Sequence, residues 1–163
     1  MKMTTILLIV TATFTALIAG LFYAYSCSVV LGLGKLSDAE YLKSMQSINR
    51  EILNPLFFIS FMGTAILLPV STFFYRSQNP VFLLLLLAAL AYLIGVFGVT
   101  MFGNVPLNDQ LDKFDIANST AQKIKEMRDI FENRWNSLNN VRSVFSVITI
   151  ILTVCTCVFN KVE

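Results

Sequence analysis

Val81-Phe82-Leu83-Leu84-Leu85-Leu86-Leu87-Ala88-Ala89-Leu90-Ala91-Tyr92-Leu93-Ile94-Gly95-Val96-Phe97-Gly98-Val99-Thr100-Met101-Phe102-Gly103 carries no charge along its length. A helix of about 20 mostly apolar residues crosses a bilayer core of about 30 Å, so this run reads as a membrane span. It belongs to a longer uncharged interval, from Arg76 to Asp109. Three others match it: Lys2 to Lys35, Glu51 to Arg76 and Arg142 to Lys161. Four spans are predicted, at about residues 4–33, 52–75, 81–103 and 143–159. The 163 residues are 56% apolar and 13% charged, with a mean hydropathy of +0.71, a level at which a soluble domain would aggregate. The expected fold is all-α: one integral membrane domain over residues 1–163, a four-helix bundle running up-down-up-down.

The segments around the spans add detail. The first span, near 30 residues, exceeds the bilayer core and should tilt or project. It is also much longer than a signal-peptide core of about 7–15 residues, so an uncleaved span is expected. Ser37-Asp38-Ala39-Glu40 has capping-box spacing, and Tyr41, Met45, Ile48 and Ile52 follow as one apolar stripe. A helix over about 38–51 is expected to begin outside the lipid and feed into the second span, with Pro55 and Pro69 bending that span or marking its edges. Arg76-Ser77-Gln78-Asn79-Pro80 is a short turn that makes the second and third spans antiparallel neighbours. Gly95, Gly98 and Gly103 offer the third span a small face for close helix contact. In the long connection after it, Ser119-Thr120-Ala121-Gln122 is a second capping-box candidate. Ile124, Met127, Phe131, Trp135 and Leu138 then keep helical spacing, predicting an amphipathic helix over about 120–142 that runs into the fourth span. By alternation, the termini and the Arg76 turn share one side of the membrane. Both amphipathic helices lie on the other, where they cap the bundle.

Candidate chemistry gathers at that capped end. Arg142 continues the stripe of Phe131, Trp135 and Leu138 at steps of four, three and four, so its guanidinium should point inward at the membrane boundary. A charge there is costly unless paired and marks a functional site by default; the competing reading is an arginine that snorkels to the headgroups. Asp109 is its expected partner and Glu51 the second choice. In Asn104-Val105-Pro106-Leu107-Asn108-Asp109 the proline should stop the helix, leaving Asn104 and Asn108 to serve the freed carbonyls or a ligand. Asn49 and Asn139, on the edges of their stripes, are open to the same two roles. Tyr23, Tyr25 and Ser26 fall near the same end, as interfacial anchors or as part of a site.

Other chemistries find no residues. The chain has no histidine and three cysteines, and its net charge is +2. There is no imidazole to hold haem, copper or zinc or to act as a general base. Cys27 lies at the opposite end from Cys155 and Cys157, so no disulfide is expected. Phosphate loops, nucleotide fingerprints and basic clusters are lacking. No cofactor, no metal and no nucleic-acid partner are predicted.

Several stretches together resemble one family. Ala19-Gly20-Leu21-Phe22-Tyr23-Ala24-Tyr25-Ser26, Met45-Gln46-Ser47-Ile48-Asn49-Arg50, Leu53-Asn54-Pro55, Asn104-Val105-Pro106-Leu107-Asn108-Asp109, and Trp135 with Asn139 and Arg142 are similar to the anthrone-oxygenase-like family of small four-helix membrane proteins. The resemblance implies a bacterial inner-membrane location. It also implies a chemistry: fungal relatives resemble cofactor-independent oxygenases that turn polycyclic anthrones into anthraquinones. One departure stands out. Bacterial relatives often read Trp-Asn-His-Val-Arg where this chain has Leu138-Asn139-Asn140-Val141-Arg142, so a proton-accepting imidazole is missing at that position.

Two functions compete. In the first, the protein binds, and oxidises without a cofactor, a hydrophobic aromatic or quinone-like molecule that enters from lipid. Arg142, Asn49, Asn104, Asn108 and Asn139 would then polarise its oxygens, Trp135 and Tyr23 would stack on its rings, and Asp109 would orient Arg142 or take a proton. In the second, the capped end of a non-catalytic scaffold recognises another protein or a second copy, and the polar groups only lock helix ends. A transporter is disfavoured, because no span carries a mid-membrane charge and no repeat halves appear. Nine of the twelve Lys and Arg residues fall on the capped side, so the positive-inside rule favours a cytoplasmic cap.

Overall fold

A computed structural model describes residues 2–160, all of whose regular structure is helical. Four long apolar helices, α1 (Met3–Leu33), α3 (Pro55–Phe74), α4 (Asn79–Asp112) and α5 (Ala121–Phe159), are each able to cross a membrane. The shorter α2 (Asp38–Glu51) lies between the first two. α1 packs against α3 and α5, and α4 packs against the same two, which closes a four-helix ring. The chain is an integral membrane protein, and its lipid-facing residues, such as Leu17, Ile59, Ile66, Leu83 and Ile151, are exposed.

The interior changes character along its length. Beneath the cap it is aromatic: Phe61 stacks on Phe57 and Phe97 at 5.1 and 5.4 Å, and Tyr92 Oη donates to Phe61 O at 2.8 Å. Toward the termini it is lined by short hydroxyl side chains. Thr11, Thr15, Ser71, Thr149, Thr153 and Thr156 are buried. Thr15 and Thr153 each donate to the carbonyl four residues back, at 2.7 and 2.8 Å, and Thr11 shares a 2.9 Å bond with Ser71 across the α1–α3 contact. Small residues let backbones approach in lipid, and a bond to the helix's own carbonyl satisfies each hydroxyl without water. Gly95 serves close packing too: a Cβ there would lie 2.0 Å from the Phe145 ring. The cysteines are unpaired.

Three local readings need correction. α2 does not feed into the second span. The helix breaks after Glu51, and Asn54 caps a new one, its Oδ1 accepting from Phe57 N at 3.1 Å, with Pro55 in the first turn, where no amide proton is needed. Pro106 does not stop α4. The backbone before it is π-helical over Ala91–Gly98 and Thr100–Asn104, so the proline falls in the first turn of a renewed α-helical stretch, Val105–Asp112, and breaks no ladder. At α5 the cap is Thr120, whose Oγ1 accepts from Lys123 N at 3.4 Å; Ser119 instead donates to Asp115 O at 2.6 Å. The first capping box forms as read, with Ser37 N donating to Glu40 at 3.1 Å.

The cap has its own core. Tyr41, Leu42 and Met45 of α2 pack on Leu107 and Leu111 of α4 and on Phe131 and Trp135 of α5. Both ends of α2 are pinned. Arg128 of α5 donates to Leu36 O, Asp38 and Gly34 O at 2.7, 3.0 and 3.0 Å, and lies 4.6 Å from the centre of the Tyr41 ring. At the other end Gln46 donates to Leu111 O and Phe114 O at 2.8 and 3.0 Å, and Arg50 pairs with Asp112 at 2.6 Å.

Candidate functional site

Between the cap and the bundle lies a part-open cavity of about 80 Å³ to which every long helix contributes. Along α5, Trp135, Asn139 and Arg142 follow at helical spacing on the buried face, which continues through Ser146, Thr149, Thr153 and Thr156. α4 contributes Thr100, Asn104 and Asn108, and its π-helical turn at Thr100–Asn104 sets where Asn104 falls. α1 is also π-helical at Tyr25–Val29; it supplies Leu21, Phe22 and Tyr25 to the wall. Ile48 and Asn49 of α2 form the roof, with Ile52, Leu53 and Phe57 beside them. π turns recur at functional sites because they redirect side chains that a regular helix would leave elsewhere.

Arg142 is the centre of this wall. It is 5% exposed, with its guanidinium carbon 4.4 Å from the Phe22 ring centre and 5.3 Å from that of Trp135. Ring faces carry negative charge density and attract a cation, more strongly once water is excluded. Among the described residues its one hydrogen bond runs from Nη2 to Asn139 Oδ1 at 3.0 Å, and none of the ion pairs involves it. The partners expected from sequence do not reach it. Asp109 and Glu51 are both exposed. Because α4 remains helical beyond Pro106, Asp109 is carried onto the outer face, and Glu51 closes α2 on the solvent side.

Asn139 is held for its task. Its Nδ2 donates to Ser26 Oγ at 2.9 Å, Ser26 shares a 2.7 Å bond with Ser143, and Ser143 donates to Phe22 O at 2.9 Å. With its amide nitrogen so engaged, Asn139 turns its oxygen to Arg142. Trp135 is fixed in turn by Nε1 donating to Asn108 Oδ1 at 2.9 Å, and its ring centre lies 5.9 Å from that of Tyr25.

Buried polar atoms are nearly always hydrogen-bonded. Arg142 Nε, Asn104 Oδ1 and Asn49 Nδ2 are buried without a partner among the described residues, and all three residues line this one cavity. Two further such atoms, Tyr41 Oη and Asn136 Oδ1, belong to residues off its wall. The cavity thus offers a cation, an amide donor and an amide acceptor set among aromatic rings. Its side chains include no thiolate, imidazole or carboxylate, a donor set suited to an oxygen-bearing organic molecule rather than to a metal.

Of the residues singled out from sequence, Asn49, Asn104, Asn108, Trp135, Asn139 and Arg142 meet on this wall, while Tyr23 and Asp109 do not. Tyr23 is 60% exposed; two positions further along α1, Tyr25 takes the inward face. Sequence reading missed Phe22, Thr100 and Phe57. Phe22 had a signal, since it falls three residues before Tyr25 and four after Ile18. Leu138 and Asn140 lie off the wall: Leu138 packs near Gly103, and exposed Asn140 has its Oδ1 3.2 Å from Ser26 Oγ.

Four apolar helices, closed at one end by a pinned amphipathic helix over a buried, acid-free guanidinium, define a small membrane protein with a mostly apolar internal cavity that holds a few polar groups. The sequence profile of the anthrone oxygenase family matches residues 53–152, which take in α3, α4 and most of α5. The chain belongs to the anthrone oxygenase family. No curated protein and no solved structure matches it.

Proposed function

We propose that this protein binds a hydrophobic aromatic or quinone-like molecule, taken from lipid, and oxidises it with dioxygen and without a cofactor. The observation that carries the reading is the Arg142 guanidinium, enclosed with the rings of Phe22 and Trp135 and sharing its cavity with Asn49 Nδ2 and Asn104 Oδ1, both without a partner among the described residues. For an anthrone the balance is a ring methylene plus O2 giving a ring carbonyl plus water. Loss of one proton leaves a carbanion whose charge spreads to the ketone oxygen. The carbanion attacks dioxygen, the O–O bond breaks as the second hydrogen leaves, and one oxygen departs as water. Arg142 and Asn49 would hold the ketone oxygen and favour charge on it, as preorganised donors do for any developing oxyanion. The wall has no ordinary base, so the first proton is given up to water before the substrate is enclosed, and only substrates that are already acidic at carbon will react.

The test is direct. Purified protein in neutral detergent, given an anthrone and air, should form quinone absorbance with matching dioxygen uptake, faster than detergent alone. A rate equal to the blank, with the protein shown to be folded, removes the enzymatic part of the reading. We place the cap in the cytoplasm of a bacterial inner membrane. Supporting this, the capped side holds nine of the twelve basic residues. A reporter at the C-terminus should therefore score as external.

A further inference from the structure

Building on the binding reading above, we infer that the cavity takes its ligand as an oxyanion, the ionised hydroxyl or enol of a lipid-soluble aromatic molecule, with the charge against Arg142. The argument begins from charge. A buried cation in a membrane protein pairs with an anion or with backbone carbonyls. Arg142 has neither among the described residues: its bond to Asn139 is to a neutral amide, and the carboxylates pair elsewhere or face out.

The elements packed around the guanidinium bring no carboxylate to meet this charge. α1 offers Tyr25, α2 offers neutral Asn49, α3 offers Phe57, and α4 offers Thr100, Asn104 and Asn108. Among the described residues Tyr25 is thus the sole ionisable side chain on the wall besides Arg142, and an ordinary phenol is neutral at pH 7. The protein therefore supplies a desolvated positive charge without its counter-charge, and a ligand that brings the missing one gains most in this low-dielectric setting.

Size and shape narrow the class. A cavity of about 150 Å³ accommodates a whole benzene molecule, whereas this one measures about 80 Å³. It has room for the oxygen-bearing edge of a ring system, while the rest must lie in the mouth. That mouth includes Leu53, which lines the cavity and is 65% exposed, beside Leu21 and Phe57. These side chains suit an apolar body continuous with lipid, and Phe22 and Trp135 suit an aromatic edge.

The experiment uses the full-length protein in neutral detergent with 2-naphthol as probe. Its bound acid midpoint, read from naphtholate absorbance, should fall at least one pH unit below the midpoint in protein-free detergent, a tenfold gain in ionisation. At a pH above that midpoint 2-methoxynaphthalene, which has the shape but no ionisable proton, should bind at least tenfold more weakly. Arg142→Gln should abolish the shift; if that variant does not fold, the ligand pair on the unaltered protein still decides. Bound naphthol with an unmoved or raised midpoint, or a methyl ether that binds as well, would overturn the oxyanion assignment and leave the binding reading standing. A tyrosinate band from the protein alone at the same pH that Tyr25→Phe removes would also overturn it, because Tyr25 would already supply the counter-charge. Failure of both probes to bind would sink the two readings together.

Discussion

Two arginines show how one residue type does opposite work. Arg128 is embedded in acceptors: two backbone carbonyls, Asp38 and Glu132. Arg142 has one neutral amide and two ring faces. A buried charge without a counter-charge is a cost to the fold, and apolar replacements of similar size at such places are often neutral or stabilising. Arg142→Met is therefore expected to keep or raise the melting temperature while lowering affinity for an aromatic ligand at least tenfold. Thermal unfolding and ligand titration on the same preparation would check this, and a variant that unfolds at lower temperature would mark Arg142 as structural. That the guanidinium turns inward was legible from the steps Phe131, Trp135, Leu138, Arg142. That nothing acidic meets it was not legible, because Asp109's direction depends on whether α4 stops at Pro106, and proline alone does not decide this.

At the scale of the element, the cap depends on α2, and α2 depends on its two pins. Arg128 is mostly buried and joins the α1–α2 connection to α5 through hydrogen bonds of a charged donor, each worth about 1.5–3 kcal/mol when removed. Arg128→Ala should thus lower stability by roughly 2–3 kcal/mol and speed amide hydrogen exchange in Asp38–Glu51 before the spans exchange. Equal loss of protection throughout the bundle would show that the cap does not open separately. The sequence showed α2 clearly, through a capping box and a stripe, but not its separation from α3. That break rests on Asn54 accepting from Phe57 N, a local bond that competes with continued helix, and an apolar pattern running through both segments hides it. The π turns were equally hidden, since Tyr25–Val29 and Thr100–Asn104 differ from α-helix in hydrogen-bond span and not in composition. They set where Tyr25 and Asn104 fall, so both residues could be named from sequence but not shown to turn into one cavity.

For the molecule as a whole, hydropathy and alternation were enough to fix four crossings and gather the elaborated connections at one end, because bilayer thickness dictates span length so strictly. The hydroxyl-lined lower half was readable in principle from Ser143, Ser146, Thr149, Thr153 and Thr156 at helical steps, yet such residues look like ordinary apolar-span filler until neighbours are known. α5 ties the two halves together. It is unbroken for 39 residues, about 58 Å at the helical rise, and bears Trp135, Asn139 and Arg142 near its middle. At its C-terminal end Asn160 follows it and donates to Tyr75 Oη at 3.0 Å. Its apolar part, over about residues 143–159, adapts its slope when the oil layer around it thins or thickens, and because the helix is continuous that slope sets the spacing of the walls around the guanidinium. Ligand affinity in vesicles should accordingly rise and fall with lipid acyl-chain length at constant headgroup, making the protein a gauge of bilayer thickness; an affinity indifferent to chain length would mean that α5 flexes between its two attachments.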